Sequence, residues 1–114
     1  MPKQFEIVFL EEAYDYLKSI ERKHYEKILF NLRKAQEGID SELFKKLSND
    51  IWEFRTLFQG IQHRILAFWE KKNGLETLVI CTHGFVKKRS KVPENEILKA
   101  EKIRKKYLEN KNLR

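Results

Sequence analysis

Apolar and polar positions along this chain change period several times, and each change marks an element. Phe5-Glu6-Ile7-Val8-Phe9 alternates well enough to predict a short strand. From Leu10 to Ile20 the spacing turns helical, with Leu10, Ala13, Leu17 and Ile20 on one stripe. A second helix is predicted from about Lys23 to Glu37, burying Tyr25, Ile28, Leu29, Leu32 and Ala35, with Gly38 as its stop signal. Ile39 to Asp50 has no clear period; Leu43, Phe44 and Leu47 there suggest a short turn of helix anchored on the core. Beyond it the pattern becomes strand-like and aromatic. Ile51 to Phe58 and Gln62 to Trp69 flank a Gln59-Gly60 turn, and Leu75 to Thr82 follows a second hairpin signal, Asn73-Gly74. A last helix is predicted from Pro93 to about Asn110, with proline at its first position and Glu94 and Glu96 in its first turn.

The order strand, two helices, three antiparallel strands, helix predicts an α+β domain. Both amino-terminal helices would pack on one face of a small sheet, leaving the other face partly free. Alternation puts Trp52 and Phe54 on one side of the sheet, with Glu53 and Arg55 on the other. In the next strand Arg64 alternates with His63. The polar set facing away from the helices is expected to form a concave, cationic platform.

Length and charge narrow the picture. A chain of 114 residues suits a single domain, read as 1–114, with one modest core. Its net charge of +7 favours an acidic partner such as nucleic acid, although surplus charge also serves solubility alone. Cys81 is the sole cysteine, so no internal disulfide forms; it lies in the most apolar strand and is read as a packed thiol. No apolar run approaches the roughly 18 residues of a membrane span, and a cytoplasmic location is expected. The chain lacks zinc-spaced Cys/His pairs, an acidic cluster suited to magnesium, a Gly-rich phosphate cradle and a nucleophile-elbow serine. Neither metal nor other cofactor is expected.

Candidate chemistry gathers around His83-Gly84-Phe85-Val86-Lys87-Lys88-Arg89-Ser90-Lys91, read as a loop following the last strand. Cleavage of RNA without a metal needs a base for the 2′-hydroxyl, cations for the phosphorane and an acid for the leaving 5′-oxygen. Lys87, Lys88, Arg89 and Lys91 are either a solvated loop or a phosphate-binding one. Phe85 either anchors that loop or stacks on a base. Arg64, in mid-strand, either holds an anion or pairs with an acidic neighbour such as Glu53. His83 and, less directly, His63 are candidate acid–base groups, with packing roles as the alternative. His24 stands in a helix among charges and is read as incidental. The apolar stripe of the last helix, Ile97, Ala100, Ile103 and Tyr107, is read as packing, with Tyr107 a further candidate for nucleotide contact.

Taken in order, Leu47, Ile51-Trp52-Glu53-Phe54-Arg55, His63-Arg64-Ile65-Leu66-Ala67-Phe68, His83-Gly84-Phe85-Val86-Lys87-Lys88, Pro93, Ile97 and Ala100 to Tyr107 resemble the RelE/ParE superfamily of bacterial toxins. The HigB-like, phage-derived branch is the nearest in pattern, and the likeness spans nearly the whole chain. It implies a RelE-like fold and a toxin that enters the ribosomal A site and cleaves translated mRNA. It also implies inhibition by a cognate antitoxin, a helix-turn-helix protein of HigA-like type, in a higher-order complex. By the same resemblance Arg64 would hold the scissile phosphate, Arg55 would be a basic residue of the catalytic face, and Lys87 and Lys88 would stabilise the transition state and leaving group. Tyr107 would correspond to a carboxy-terminal tyrosine of some members. Glu53 departs from the pattern, standing where RelE-like toxins carry a lysine, so the general base stays open among Glu53, His83 and a lysine. Two other classes stay open as well: a ParE-like inhibitor of DNA gyrase, and a non-catalytic nucleic-acid-binding module.

Overall fold

The computed structural model describes residues 2–72 and 74–112. Its elements are β1 (Glu6–Phe9), α1 (Glu11–Ser19), α2 (Arg22–Gln36), a 3₁₀ turn (Ser41–Leu43), β2 (Phe44–Lys46), β3 (Trp52–Phe58), β4 (Ile61–Lys72), β5 (Leu75–Val86) and α3 (Glu94–Asn112). The strands form one sheet in the order β1-β5-β4-β3-β2, with β1 parallel to β5 and every other pair antiparallel. This α+β arrangement matches the predicted helix placement and adds one strand.

Local chemistry explains most boundaries. Helix α1 has no side-chain cap, but Glu11 and Glu12 place negative charge on its first turn, where the helix dipole favours it. At the end of α2 the Gly38 amide bonds the Ala35 carbonyl and the Ile39 amide bonds the Lys34 carbonyl. With Gly38 at φ +70°, this is a Schellman cap, and it ends the helix where the glycine predicted. Gln59 and Gly60 both have positive φ (50° and 80°), as a two-residue type I′ hairpin requires. The other hairpin signal includes Asn73, which lies outside the described residues; its partner Gly74 has φ +79°.

Two departures from the predicted elements matter. The segment after the 3₁₀ turn is a strand: Phe44, Lys45 and Lys46 pair with Phe54, Glu53 and Trp52. Stacking of the Phe44 ring on Phe54 (4.2 Å between centroids) and Trp52 (4.9 Å) holds it there. Strand β5 also does not stop at Thr82 but continues through Val86, so His83, Gly84 and Phe85 are strand residues.

A bulge in β5 decides which way those residues point. Leu66 pairs with His83 while the next residue, Ala67, pairs with Cys81, so Thr82 is the extra residue. Below the bulge Val79 and Cys81 face α1 and α2, packed with Ala13, Leu17, Ile28, Leu32, Phe54, Ile65 and Ala67. Above it the parity flips, and His83 and Phe85 join Ile80, Leu66 and Phe68 on the opposite face. Gly84 takes the helix side, where the Tyr16 ring lies so close that a Cβ would collide with Tyr16 Cδ2 and Cγ. That second face is only partly free, as expected: α3 crosses it and buries Ala100 and part of Tyr107 against Ile51, Leu66, Phe68 and Ile80. Among the described residues no helix is long and apolar enough to cross a membrane.

Candidate nucleic-acid interface

On the α3 face, the strand register stacks three cross-strand rows that run outward from beneath the start of α3. Leu57 and Gln62 lie in the outermost, Arg55, Arg64 and Phe85 in the middle one, and Glu53, Leu66 and His83 in the innermost. The Lys87 amide donates to the Gln62 carbonyl (2.8 Å), which carries the ladder one residue past β5 and sets Lys87 beside the outermost row. The structure therefore brings Glu53, Arg55, Arg64, His83, Phe85 and Lys87 to one end of one face. Lys88, Arg89 and Lys91 are exposed on the segment that leads from there to α3.

The cationic platform expected from alternation needs correction, because Arg64 is only 3% exposed. Its Nε lies 3.0 Å from Glu53 Oε1, and its terminal nitrogens donate to the His63 carbonyl (3.0 Å) and Gln62 Oε1 (2.9 Å). The Nε–Oε1 contact is close but poorly aligned, so neither atom completes a hydrogen bond despite full burial. Of the two readings open for Arg64, the structure realises the pair with Glu53. Burial pulls the guanidinium pKa down, and neighbouring Arg55 adds to this while Glu53 opposes it. Arg55 is half-exposed and reaches Glu42 at 3.5 Å, a pair that solvent screens. The accessible cations of the site are thus Arg55, Lys87 and the following basic run.

His83 is buried between two partners. Its Nε2 lies 3.0 Å from Glu96 Oε1 on α3, and its Nδ1 lies 3.0 Å from Thr82 Oγ1, which also reaches the Leu66 carbonyl at 3.2 Å. A carboxylate only accepts, so Nε2 carries a proton in either charge state. The single hydroxyl proton of Thr82 then settles the rest. Donated to Nδ1 it makes His83 neutral; donated to the Leu66 carbonyl it leaves Nδ1–H to donate and His83 cationic. The ring can gain or lose a proton while only one hydroxyl rotates. Desolvation lowers its pKa, with Glu96 working in the other direction. The Phe85 ring stacks on His83 (5.8 Å, 27°) at the border of the exposed region.

Three other residues are placed differently from the sequence reading. His63 faces the helices: Tyr16 O–H donates to its Nδ1 (2.5 Å) and its Nε2–H to His24 Nδ1 (2.9 Å). Burial keeps the Tyr16 phenol protonated, its pKa pushed up to about 12, and lowers that of His63, so the phenol donates to a neutral His63 ring. His24 is therefore a structural partner in the core rather than incidental, and His63 lies on the wrong face for the site. Tyr107 is not brought to the site either: its hydroxyl donates to Glu70 Oε2 (2.6 Å) and its ring edges onto Phe68. Glu70 is six residues along β4 from Arg64, about 20 Å at strand rise. Cys81 is fully buried, and burial pushes its thiol pKa up, as expected of a packed thiol. Glu96 is the residue that sequence reasoning missed; its only signal was a place in the first turn of α3. Among the described residues, no cluster of three or more His, Cys, Asp or Glu side chains is arranged to hold a metal ion.

Residues 15–105, most of the chain, match the family described as Phage derived protein Gp49-like. The chain belongs to that family, which comprises candidate toxins of toxin–antitoxin systems. No match was found among curated proteins.

Proposed function

We propose that this chain is the toxin of a type II toxin–antitoxin pair, a RelE- and HigB-like endoribonuclease that cleaves mRNA on the ribosome without a metal ion. The observation that carries this reading is the convergence of Arg55, Arg64, Phe85 and Lys87 at one end of the α3 face, beside Glu53 and His83. Arg55, Lys87 and Lys88 contact the phosphates on either side of the scissile bond, and Phe85 supports a base. Glu53, partly open to solvent where Arg64 is not, accepts the 2′-hydroxyl proton. The freed 2′-oxygen attacks the adjacent phosphorus, the P–O5′ bond breaks, and His83, in its cationic state with the Thr82 hydroxyl turned to the Leu66 carbonyl, gives its Nε2 proton to the leaving 5′-oxygen and becomes neutral. Protonation of Glu53 removes the negative charge that masks Arg64, so its cation becomes available as the phosphorane gains charge. His83 acts after the first turn of α3 withdraws Glu96 from its Nε2.

The antitoxin partner follows from the same family membership, and the amino-terminal helices together with α3 offer it surface. The test is controlled expression followed by growth measurement and mapping of new RNA 5′ ends. The wild type arrests growth and cuts within translated regions; Glu53→Gln and Lys87→Ala/Lys88→Ala, accumulating equally, do neither. Arrest with intact mRNA and broken DNA would assign the protein to gyrase inhibition instead.

A further inference from the structure

A second cavity lies at the opposite end of the sheet, where β3 begins, β4 ends and the last turns of α3 pass. Its volume is about 410 Å³, within the range of pockets that hold small ligands. Lys46, Lys71, Arg104 and Lys111 line it, against two carboxylates, Asp50 and Glu70. Both acids are already engaged: Arg104 lies 3.6 Å from Asp50, while Lys111 and the Tyr107 hydroxyl bind Glu70. Cations therefore exceed acids on the wall, with Lys46 and Lys71 exposed at its rim.

The rest of the wall is two indoles with Asn49 and Leu108. Trp52 and Trp69 both line the cavity, their rings edge to face at 6.1 Å and 89°, and Phe44 backs Trp52 at 4.9 Å. Phe44 stacks on Trp52 and meets Trp69 edge to face at 5.8 Å, which holds both rings in place, so a flat ligand meets a preformed surface. Cations beside fixed aromatic faces are what a nucleotide needs: ion pairs for the phosphate and a π-surface for the base.

We propose that this cavity binds a nucleotide of single-stranded RNA without base preference. Its phosphate sits on Lys46 and Lys71 and its base packs on the Trp52–Trp69 wall. It lies some 20 Å from Arg64 along β4, and Lys46, Trp52 and Trp69 belong to the face opposite Arg64, so the cavity is separate from the proposed active end. The assignment goes beyond the proposed ribonuclease and holds whether or not the far end cleaves RNA.

The protein itself supplies the reporter, since Trp52 and Trp69 are its only tryptophans. Titration of the full chain with a 2′-O-methylated hexa-adenylate, which cannot be cleaved through its 2′-oxygen, should quench tryptophan fluorescence saturably. Lys46→Ala/Lys71→Ala should weaken that binding roughly ten-fold or more and flatten its salt dependence by about two contacts. Lys23→Ala, an exposed lysine on α2 assigned to neither site, should leave the quenching constant unchanged. Inorganic phosphate alone should compete poorly, because it lacks the stacking partner. Absence of saturable quenching, or quenching indifferent to the double substitution in a variant with the wild-type circular dichroism spectrum, overturns the assignment. So does equal competition by hexaglutamate, which would give the cavity to an acidic protein segment.

Discussion

Replacing Glu53 by leucine strands the Arg64 guanidinium in the sheet. The two side chains are 4% and 12% exposed, so solvent screens their interaction little. Breaking such a pair from one side typically costs about 3–5 kcal/mol, because the remaining charge stays buried without its counter-ion. Two features move the expectation to the lower end, about 3 kcal/mol: the pair is poorly aligned, and Arg64 keeps neutral acceptors in the His63 carbonyl and Gln62 Oε1. Glu53→Leu/Arg64→Met removes both charges and fills the space with apolar atoms, which is often neutral or stabilising. The double variant should therefore recover to within about 1 kcal/mol of the wild type. Urea unfolding separates the cases: with m near 1–3 kcal/mol/M, a 3 kcal/mol loss lowers the midpoint by roughly 1–3 M. Under the proposed function neither variant cleaves RNA, and the stable double variant separates lost chemistry from lost folding. A single variant within about 0.5 kcal/mol of wild type, or a double variant no better than the single, would refute the reasoning.

Gly84→Ala should destabilise by about 1–3 kcal/mol, because the new Cβ meets the stem of Tyr16 and not a flexible tip; a thermal melt should show a drop of roughly 4 °C or more. Stability should also fall as pH drops below about 6.5 and level off below the folded-state pKa values of His63 and His83. Desolvation depresses both, so the unfolded chain takes up protons that the folded one refuses, and equal urea midpoints at pH 7.5 and 5.5 would contradict this. Gln59→Asn should stabilise the hairpin by about 0.5–1 kcal/mol, since asparagine tolerates the positive φ better than glutamine; an unchanged melting temperature would count against it.

Strong local patterns were legible before any coordinates. The stripe of α2 and its Gly38 stop, the Gln59-Gly60 hairpin and the opposition of Phe54 to Arg55 all follow from short-range chemistry. The misses came from long-range pairing. Phe44-Lys45-Lys46 has little strand character of its own and is strand only because β3 and the Phe44 stack hold it. His83-Gly84 reads as a strand end, yet the Tyr16 ring fills the space that glycine leaves and β5 runs on. The bulge at Thr82 has no sequence mark, and it alone turns His83 and Phe85 toward Arg64. Charge was misjudged for the same reason: alternation correctly assigned Arg64 to its face, but the Glu53 contact that buries it depends on neighbouring strands. His24 and Glu96 gained their partners only through tertiary packing, His24 against His63 and Glu96 against His83.

In the proposed function, Glu53, Arg55, His83, Lys87 and their neighbours cut translated mRNA. Primer extension on a single defined message in a purified translation system tests it most directly. The wild-type chain should produce new 5′ ends only when ribosomes translate the message, leaving 2′,3′-cyclic phosphate or 3′-phosphate termini upstream. Glu53→Leu/Arg64→Met, equally folded, should produce none. Cleavage that persists undiminished in that variant, or no cleavage by the wild type on translating ribosomes, would contradict the account.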